Sequence, residues 1–151
     1  MAMNIASTQY SLAYRALEIY LSGCDGACAG CHNPELWDFN QGTDYTKWYP
    51  SLASKLTTFP KLIQNIWILG GEPLLQDHGE LETFLRWLQP FDIPITLWTR
   101  FQLEDVPLPI QICVSYIKTG SYRSDLACPG YEMYGIPLVS TNQRIEKPSL
   151  Q

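Results

Sequence analysis

Charge is scarce in this chain. Of its 151 residues 17% are charged, with 10 Lys and Arg against 15 Asp and Glu for a formal net charge of −5. A basic stripe is absent, which disfavours nucleic-acid partners, because phosphate contacts need clustered Lys and Arg. No apolar run is long enough to cross a bilayer, so no membrane is expected either. Residues 1–11 lack a basic segment followed by an apolar block and do not read as a signal peptide, so the expected address is cytoplasmic. Thiols stay reduced there. Partners for disulfides are short as well. Five cysteines is an odd number, and three of them fall within eight residues. That pattern points away from a disulfide framework and toward a metal or redox site. Internal repeats and low-complexity linkers are also lacking.

What is present is the composition of a folded chain, with 46% hydrophobic residues. The length suits one domain over residues 1–151, with a core at about 16–122 and a tail over 123–151. Compact apolar runs at 16–21, 66–69, 93–98 and 110–117 read as strands. Helical spacing appears at 46–57, through Trp48, Leu52 and Leu56, and at 80–88, through Leu81, Phe84, Leu85 and Leu88. Alternating strands and helices imply an α/β fold with parallel strands and helical crossovers. Four strands are too few for a closed eightfold barrel, so an open partial (β/α) barrel is expected. From Ser121 onward periodicity fades, and Pro129, Pro137 and Pro148 suggest an extended C-terminal tail laid over the domain. Ligands of parallel sheets gather beyond the carboxyl ends of the strands. The unusual residues fall there, in four loops expected to meet on one edge.

The first of these loops carries Cys24, Cys28 and Cys31, with three and then two residues between them. Its intervening residues are small, so the backbone can wrap a polynuclear centre and offer N–H groups to its sulfur. An electron-transfer cluster would want a fourth cysteine nearby, and none is near in sequence. Three protein ligands leave one iron open to a substrate or cofactor. The competing reading is a structural zinc site with His32, Cys113 or Cys128 as fourth ligand. A second Cys-x-x-Cys knuckle is absent, and His32 directly follows Cys31, which makes joint ligation awkward. Cys113, inside the expected fourth strand, reads as an inert core thiol. Cys128, in a loop, is the stray ligand to watch.

With Gly70-Gly71-Glu72-Pro73 after the second strand, the cysteine pattern resembles the radical S-adenosylmethionine superfamily. Within it the chain is most similar to the small activating proteins of anaerobic (class III) ribonucleotide reductase. The similarity runs through residues 22–37, 69–75, 97–105, 116–122 and 140–144, in family order. It implies a radical-SAM type partial barrel with a 4Fe-4S cluster on Cys24, Cys28 and Cys31. S-adenosyl-L-methionine would bind the open iron, its methionyl ammonium held by Gly70, Gly71 and Glu72. The resemblance also implicates Thr99 at that cofactor, and Lys118 reads either as positive charge near the cofactor carboxylate or as a solvated lysine. An electron from a donor such as flavodoxin or ferredoxin would break the cofactor's carbon–sulfur bond. The resulting 5′-deoxyadenosyl radical would take hydrogen from a glycine of a partner glycyl radical enzyme, the anaerobic reductase.

Two positions depart from the family. Arg100 stands where a glycine usually follows the threonine, and Lys118-Thr119-Gly120 lacks the acid that many relatives carry. Blander readings also stand beside the functional ones. The Gly-Gly-Glu-Pro loop also reads as a strand-ending turn, Thr99 as the cap of the following turn, and Trp98 as core. The alternatives for the whole chain are another radical S-adenosylmethionine enzyme, activating a different glycyl radical enzyme or modifying a peptide, and a structural zinc or iron–sulfur interaction module.

Overall fold

A computed structural model describes residues 3–26, 34–58 and 61–148. In chain order the strands and helices are β1 (Asn4–Ser11), β2 (Ala16–Leu21), β3 (Thr43–Asp44), α1 (Tyr49–Thr58), β4 (Asn65–Gly70) and α2 (His78–Leu88). They continue with β5 (Ile95–Trp98), α3 (Leu108–Gln111), β6 (Tyr116–Thr119), β7 (Glu132–Met133), β8 (Ile136–Pro137) and β9 (Arg144–Glu146). The main sheet runs β3-β1-β2-β4-β5-β6-β9 and does not close on itself. Its centre, β2, β4, β5 and β6, is parallel, as expected. Its flanks are antiparallel: β1 on β2, β3 on β1, and β9 on β6. Among the described residues no helix is long and apolar enough to cross a membrane.

Strand periodicity assigns the two faces of the sheet. Leu17, Ile19 and Leu21 of β2, Ile66 and Ile68 of β4, and Ile95 and Leu97 of β5 share one core with the helices. Into it α1 sends Leu52 and Leu56, and α2 sends Leu81, Phe84, Leu85 and Leu88. The α2 residues are fully buried, each contributing roughly 1.5–3 kcal/mol of burial. Asp77 starts that helix by accepting the Glu80 N–H at 2.9 Å. On the opposite face Trp67 and Ala16 meet Ile136, Leu138 and Ile145. The C-terminal segment therefore covers the face that the helices leave bare.

Three expectations need correction. Residues 110–117 are not one strand: α3 ends at Gln111 and β6 begins at Tyr116. Pro107 and Pro109 suit a helix start, and Ile110, Cys113 and Val114 follow a helical, not an alternating, spacing. Cys113 thus lies in the turn after α3, buried, with its thiol donating to the Pro109 carbonyl at 3.2 Å. The third strand is shorter than 93–98, starting at Ile95, because Pro94 precedes it. Finally, the sheet is mixed, since β1 and β9 pair antiparallel with its parallel centre.

Candidate functional site

Four strand ends meet at one edge of the sheet, around a cavity of about 230 Å³. Cys24 follows β2; Gly70, Gly71 and Glu72 close β4; Thr99 and Arg100 follow β5; Lys118 belongs to the end of β6. Trp37, Tyr122, Val139 and Gln143 complete the wall. Every expected site residue that is described is therefore brought together. Cys28, Cys31 and His32 lie outside the described residues. Among the described residues no group of three His, Cys, Asp or Glu is arranged for a metal ion. Neither Cys113 nor Cys128 lines the cavity. Cys113 sits instead by a hollow shared with Pro94 and Ile95, at the amino end of β5.

The two glycines serve backbone packing. A Cβ on Gly71 would lie 2.2 Å from the Gly23 carbonyl oxygen, and one on Gly70 would lie 2.2 Å from that of Leu21. Gly70 also has φ +133°, a conformation that glycine alone adopts readily. The close approach lets Gly71 N–H bond Leu21 O at 3.0 Å and Glu72 N–H bond Gly23 O at 2.8 Å. The β4 loop is thus tied to the base of the cysteine loop. Gln76, which sequence reasoning missed, reinforces the tie. Its buried amide donates to Ser22 O at 3.0 Å, Gly23 O at 3.3 Å and Glu72 O at 3.2 Å. No periodicity or motif marks it; only its nearness to the 69–75 block does.

Glu72 is 2% exposed and works as a brace. Its Oε2 accepts Leu74 N–H at 2.9 Å and the Thr99 hydroxyl at 2.7 Å, while Oε1 accepts Arg100 N–H at 2.8 Å. Thr99 Oγ1 in turn accepts Phe101 N–H at 3.2 Å. Burial pushes the Glu72 carboxyl above its ordinary value, against the pull of those three donors and of Lys118. Lys118 is itself buried, its ammonium donating to Gly120 O at 3.0 Å and lying 5.8 Å from the Trp98 ring centre.

Arg100 reaches across to the cysteine loop. Its guanidinium grips both carboxylate oxygens of Asp25, with Nη2 to Oδ2 at 2.7 Å, and places Nη1 3.6 Å from Cys24 Sγ. Burial raises the Cys24 thiol above its ordinary value, while the Gly26 N–H and Arg100 lower it. A metal arriving there would displace that proton.

The far wall explains the amide-rich block at 142–144. Gln143 accepts Val139 N–H at 3.0 Å and donates to Gly120 O at 3.3 Å, and Asn142 donates to Ser121 O at 2.7 Å. Arg144 opens β9 against Thr119. These residues fasten the C-terminal segment to the end of β6. Their polarity was legible in sequence; their partners were not.

Among the described residues the cavity offers one sulfur donor, of the kind an iron–sulfur centre takes. Cys24 offers sulfur at the cavity wall, and Arg100 and Lys118 bring positive charge toward an anionic thiolate cluster. At Gly26, with φ +73°, a Cβ would lie 3.1 Å from the Trp37 ring, so this part of the loop admits little beyond glycine.

The model of the 4Fe-4S single cluster domain family matches residues 14–145. Five relatives share the name anaerobic ribonucleoside-triphosphate reductase-activating protein, among them the three that follow. That of Enterobacteria phage T4 is 30% identical over 113 residues, 72% of this chain and 71% of the relative. That of Vibrio cholerae is 27% identical over 141 residues, covering 87% of each. The Haemophilus influenzae protein is 27% identical over 139 residues, 85% of each. The chain belongs to this family of single-cluster iron–sulfur activating enzymes.

Proposed function

We propose that this chain activates an anaerobic ribonucleotide reductase by reductive cleavage of S-adenosyl-L-methionine and hydrogen abstraction from a glycine of that enzyme. Cys24, Cys28 and Cys31 would hold the 4Fe-4S cluster, which supplies the electron that breaks the carbon–sulfur bond. The observation that carries the reading is the meeting of four strand-end loops around one cavity walled by Cys24, Gly70, Gly71, Glu72, Thr99 and Lys118. The fold would be a partial barrel of radical-SAM type, one domain over the whole chain, working in the cytoplasm.

Within this reading the residues divide the work. The Gly70-Gly71 backbone would hold the methionyl end of the cofactor, and Lys118 would balance its carboxylate. Glu72 and Thr99 fix the β4 and β5 loops at the distance this requires. Trp37 and Val139, both partly exposed, form an apolar rim where the substrate loop excludes water. An electron donor such as flavodoxin or ferredoxin approaches from outside.

Anaerobic reconstitution tests the proposal. About four irons and four sulfides per chain are expected, with a spectral change on adding S-adenosyl-L-methionine. Dithionite should then yield 5′-deoxyadenosine, and mixing with an anaerobic ribonucleotide reductase should give a glycyl radical signal. One bound zinc and no response to the cofactor would sink the reading. So would a Cys28→Ala chain that still cleaves the cofactor reductively.

A further inference from the structure

We propose that Arg100 is a positioning and potential-setting residue for the cluster, acting across the cavity on Cys24 through a bidentate latch to Asp25. The inference rests on the cluster reading above and goes beyond it, because it concerns a side chain outside the ligand set.

Arg100 is held at its root. Its N–H bonds Glu72 Oε1 at 2.8 Å, and its guanidinium lies 4.7 Å from the Phe101 ring centre. From that fixed base it spans to a loop 75 positions earlier in the chain and binds both oxygens of Asp25. The planar fork matches a carboxylate in this way, where an ammonium would act only as a point charge. The Arg100 side chain is 14% exposed and that of Asp25 51%, so the pair contributes little to stability through attraction alone. Its effect is geometric. By gripping Asp25, the guanidinium turns Nη1 toward Cys24 Sγ, 3.6 Å away. The contact is sulfur-length and charge-assisted.

Such a donor changes the electronics of a metal-bound thiolate. Reduction adds negative charge to the cluster and its sulfurs, and a nearby N–H donor with positive charge stabilises that state more than the oxidised one. The reduction potential therefore rises, and the cluster accepts its electron more readily. Lys118, also on the cavity wall, directs its ammonium to Gly120 O at 3.0 Å.

The test uses the full chain, anaerobically reconstituted without S-adenosyl-L-methionine, as parent, Arg100→Ala and Arg100→Lys. Iron and sulfide are assayed first. Each protein is then titrated potentiometrically, with the electron paramagnetic signal of the reduced cluster as readout. Arg100→Ala is expected to load iron yet be harder to reduce. Its reduced-to-oxidised ratio at the parent's midpoint should fall about tenfold, or 59 mV for a one-electron couple. Arg100→Lys should recover part of that loss, since it keeps the charge and loses the fork. A fully loaded Arg100→Ala chain whose ratio stays within about twofold of the parent overturns the proposal and leaves the cluster reading intact. A parent that takes up no iron overturns both. If circular dichroism shows Arg100→Ala unfolded, Arg100→Gln, which removes the charge and keeps a polar stem, decides by the same twofold threshold.

Discussion

Removing the Glu72 carboxylate should unfasten two loops at once. In Glu72→Ala the N–H groups of Leu74 and Arg100 lose their acceptor, and the Thr99 hydroxyl loses its own. The Leu74 N–H is buried and that of Arg100 partly so. An orphaned buried donor costs on the order of 1–3 kcal/mol, so the two backbone groups together put the loss near 4 kcal/mol. Thr99 is better placed, because its oxygen still accepts Phe101 N–H. Glu72→Gln keeps one oxygen, which can serve Leu74 and Thr99 while its amide faces the Arg100 N–H. One bond is then lost, a cost of about 1–2 kcal/mol. Urea unfolding of the metal-free chain, read as a shift in midpoint at constant slope, measures both. An alanine variant within about 1 kcal/mol of the parent would show that the carboxylate braces nothing.

The same pair of proteins carries a pH signature. Burial raises the Glu72 pKa above its ordinary 4.5. Between 4.5 and the folded value the folded chain holds a proton that the unfolded chain has released. Stability from this group is therefore greatest below 4.5 and falls as pH rises through that window. Glu72→Gln has no proton to lose there. The parent's urea midpoint should fall relative to that of Glu72→Gln as pH increases. A relative rise would mean that the hydrogen bonds and Lys118 outweigh burial.

Gly71→Ala places a Cβ 2.2 Å from Gly23 O, so the base of the cysteine loop must move. A loss of at least about 2 kcal/mol in urea unfolding, with reduced iron uptake, is expected; full uptake at parental stability would refute the packing role. Lys118→Met removes the buried ammonium while keeping the stem's bulk. Reconstituted chain should bind S-adenosyl-L-methionine at least about tenfold more weakly by equilibrium dialysis, and unchanged affinity would remove Lys118 from the cofactor site. Cys113→Ala, at the amino end of β5, should retain the parent's iron content. Loss of iron from a folded variant would return Cys113 to the ligand set.

Parallel strands β2 and β4 were legible because their apolar runs are compact and punctuated by Ser22-Gly23 and Gly70-Gly71. Helix α2 was legible because Leu81, Phe84, Leu85 and Leu88 keep one face. Strand β1 escaped, since Asn4–Ser11 is mostly polar and its outer residues remain partly exposed. The run at 110–117 misled because α3 and β6 are both apolar and only four residues apart. At the site, sequence located the loops and left their joinery hidden. Glu72 meets Thr99 across 27 positions and Arg100 meets Asp25 across 75. Such pairs follow from how strand ends are juxtaposed, and no local pattern encodes that. Gln76 shows the limit most clearly, because all three of its acceptors are backbone carbonyls.

The cysteine loop is closed by the fold at both of its described ends. Gly23 N–H bonds Leu36 O at 2.7 Å, and Cys24 N–H bonds Trp37 O at 3.2 Å, so the chain leaves and returns at one place. Glu72, Gln76 and Gly71 hold the outgoing side, and the Pro34–Leu36 turn precedes the return. Closing a loop costs entropy that a metal would otherwise have to offset. Here the backbone bonds of Gly23 and Cys24 to Leu36 and Trp37 meet part of that cost. The arrangement differs from small zinc modules, in which metal binding and folding are one event. The β4 and β5 loops that brace this anchor also wall the cavity. Glu72 joins these two loops, accepting from Leu74 on one side and from Thr99 and Arg100 on the other, and Arg100 in turn reaches Cys24.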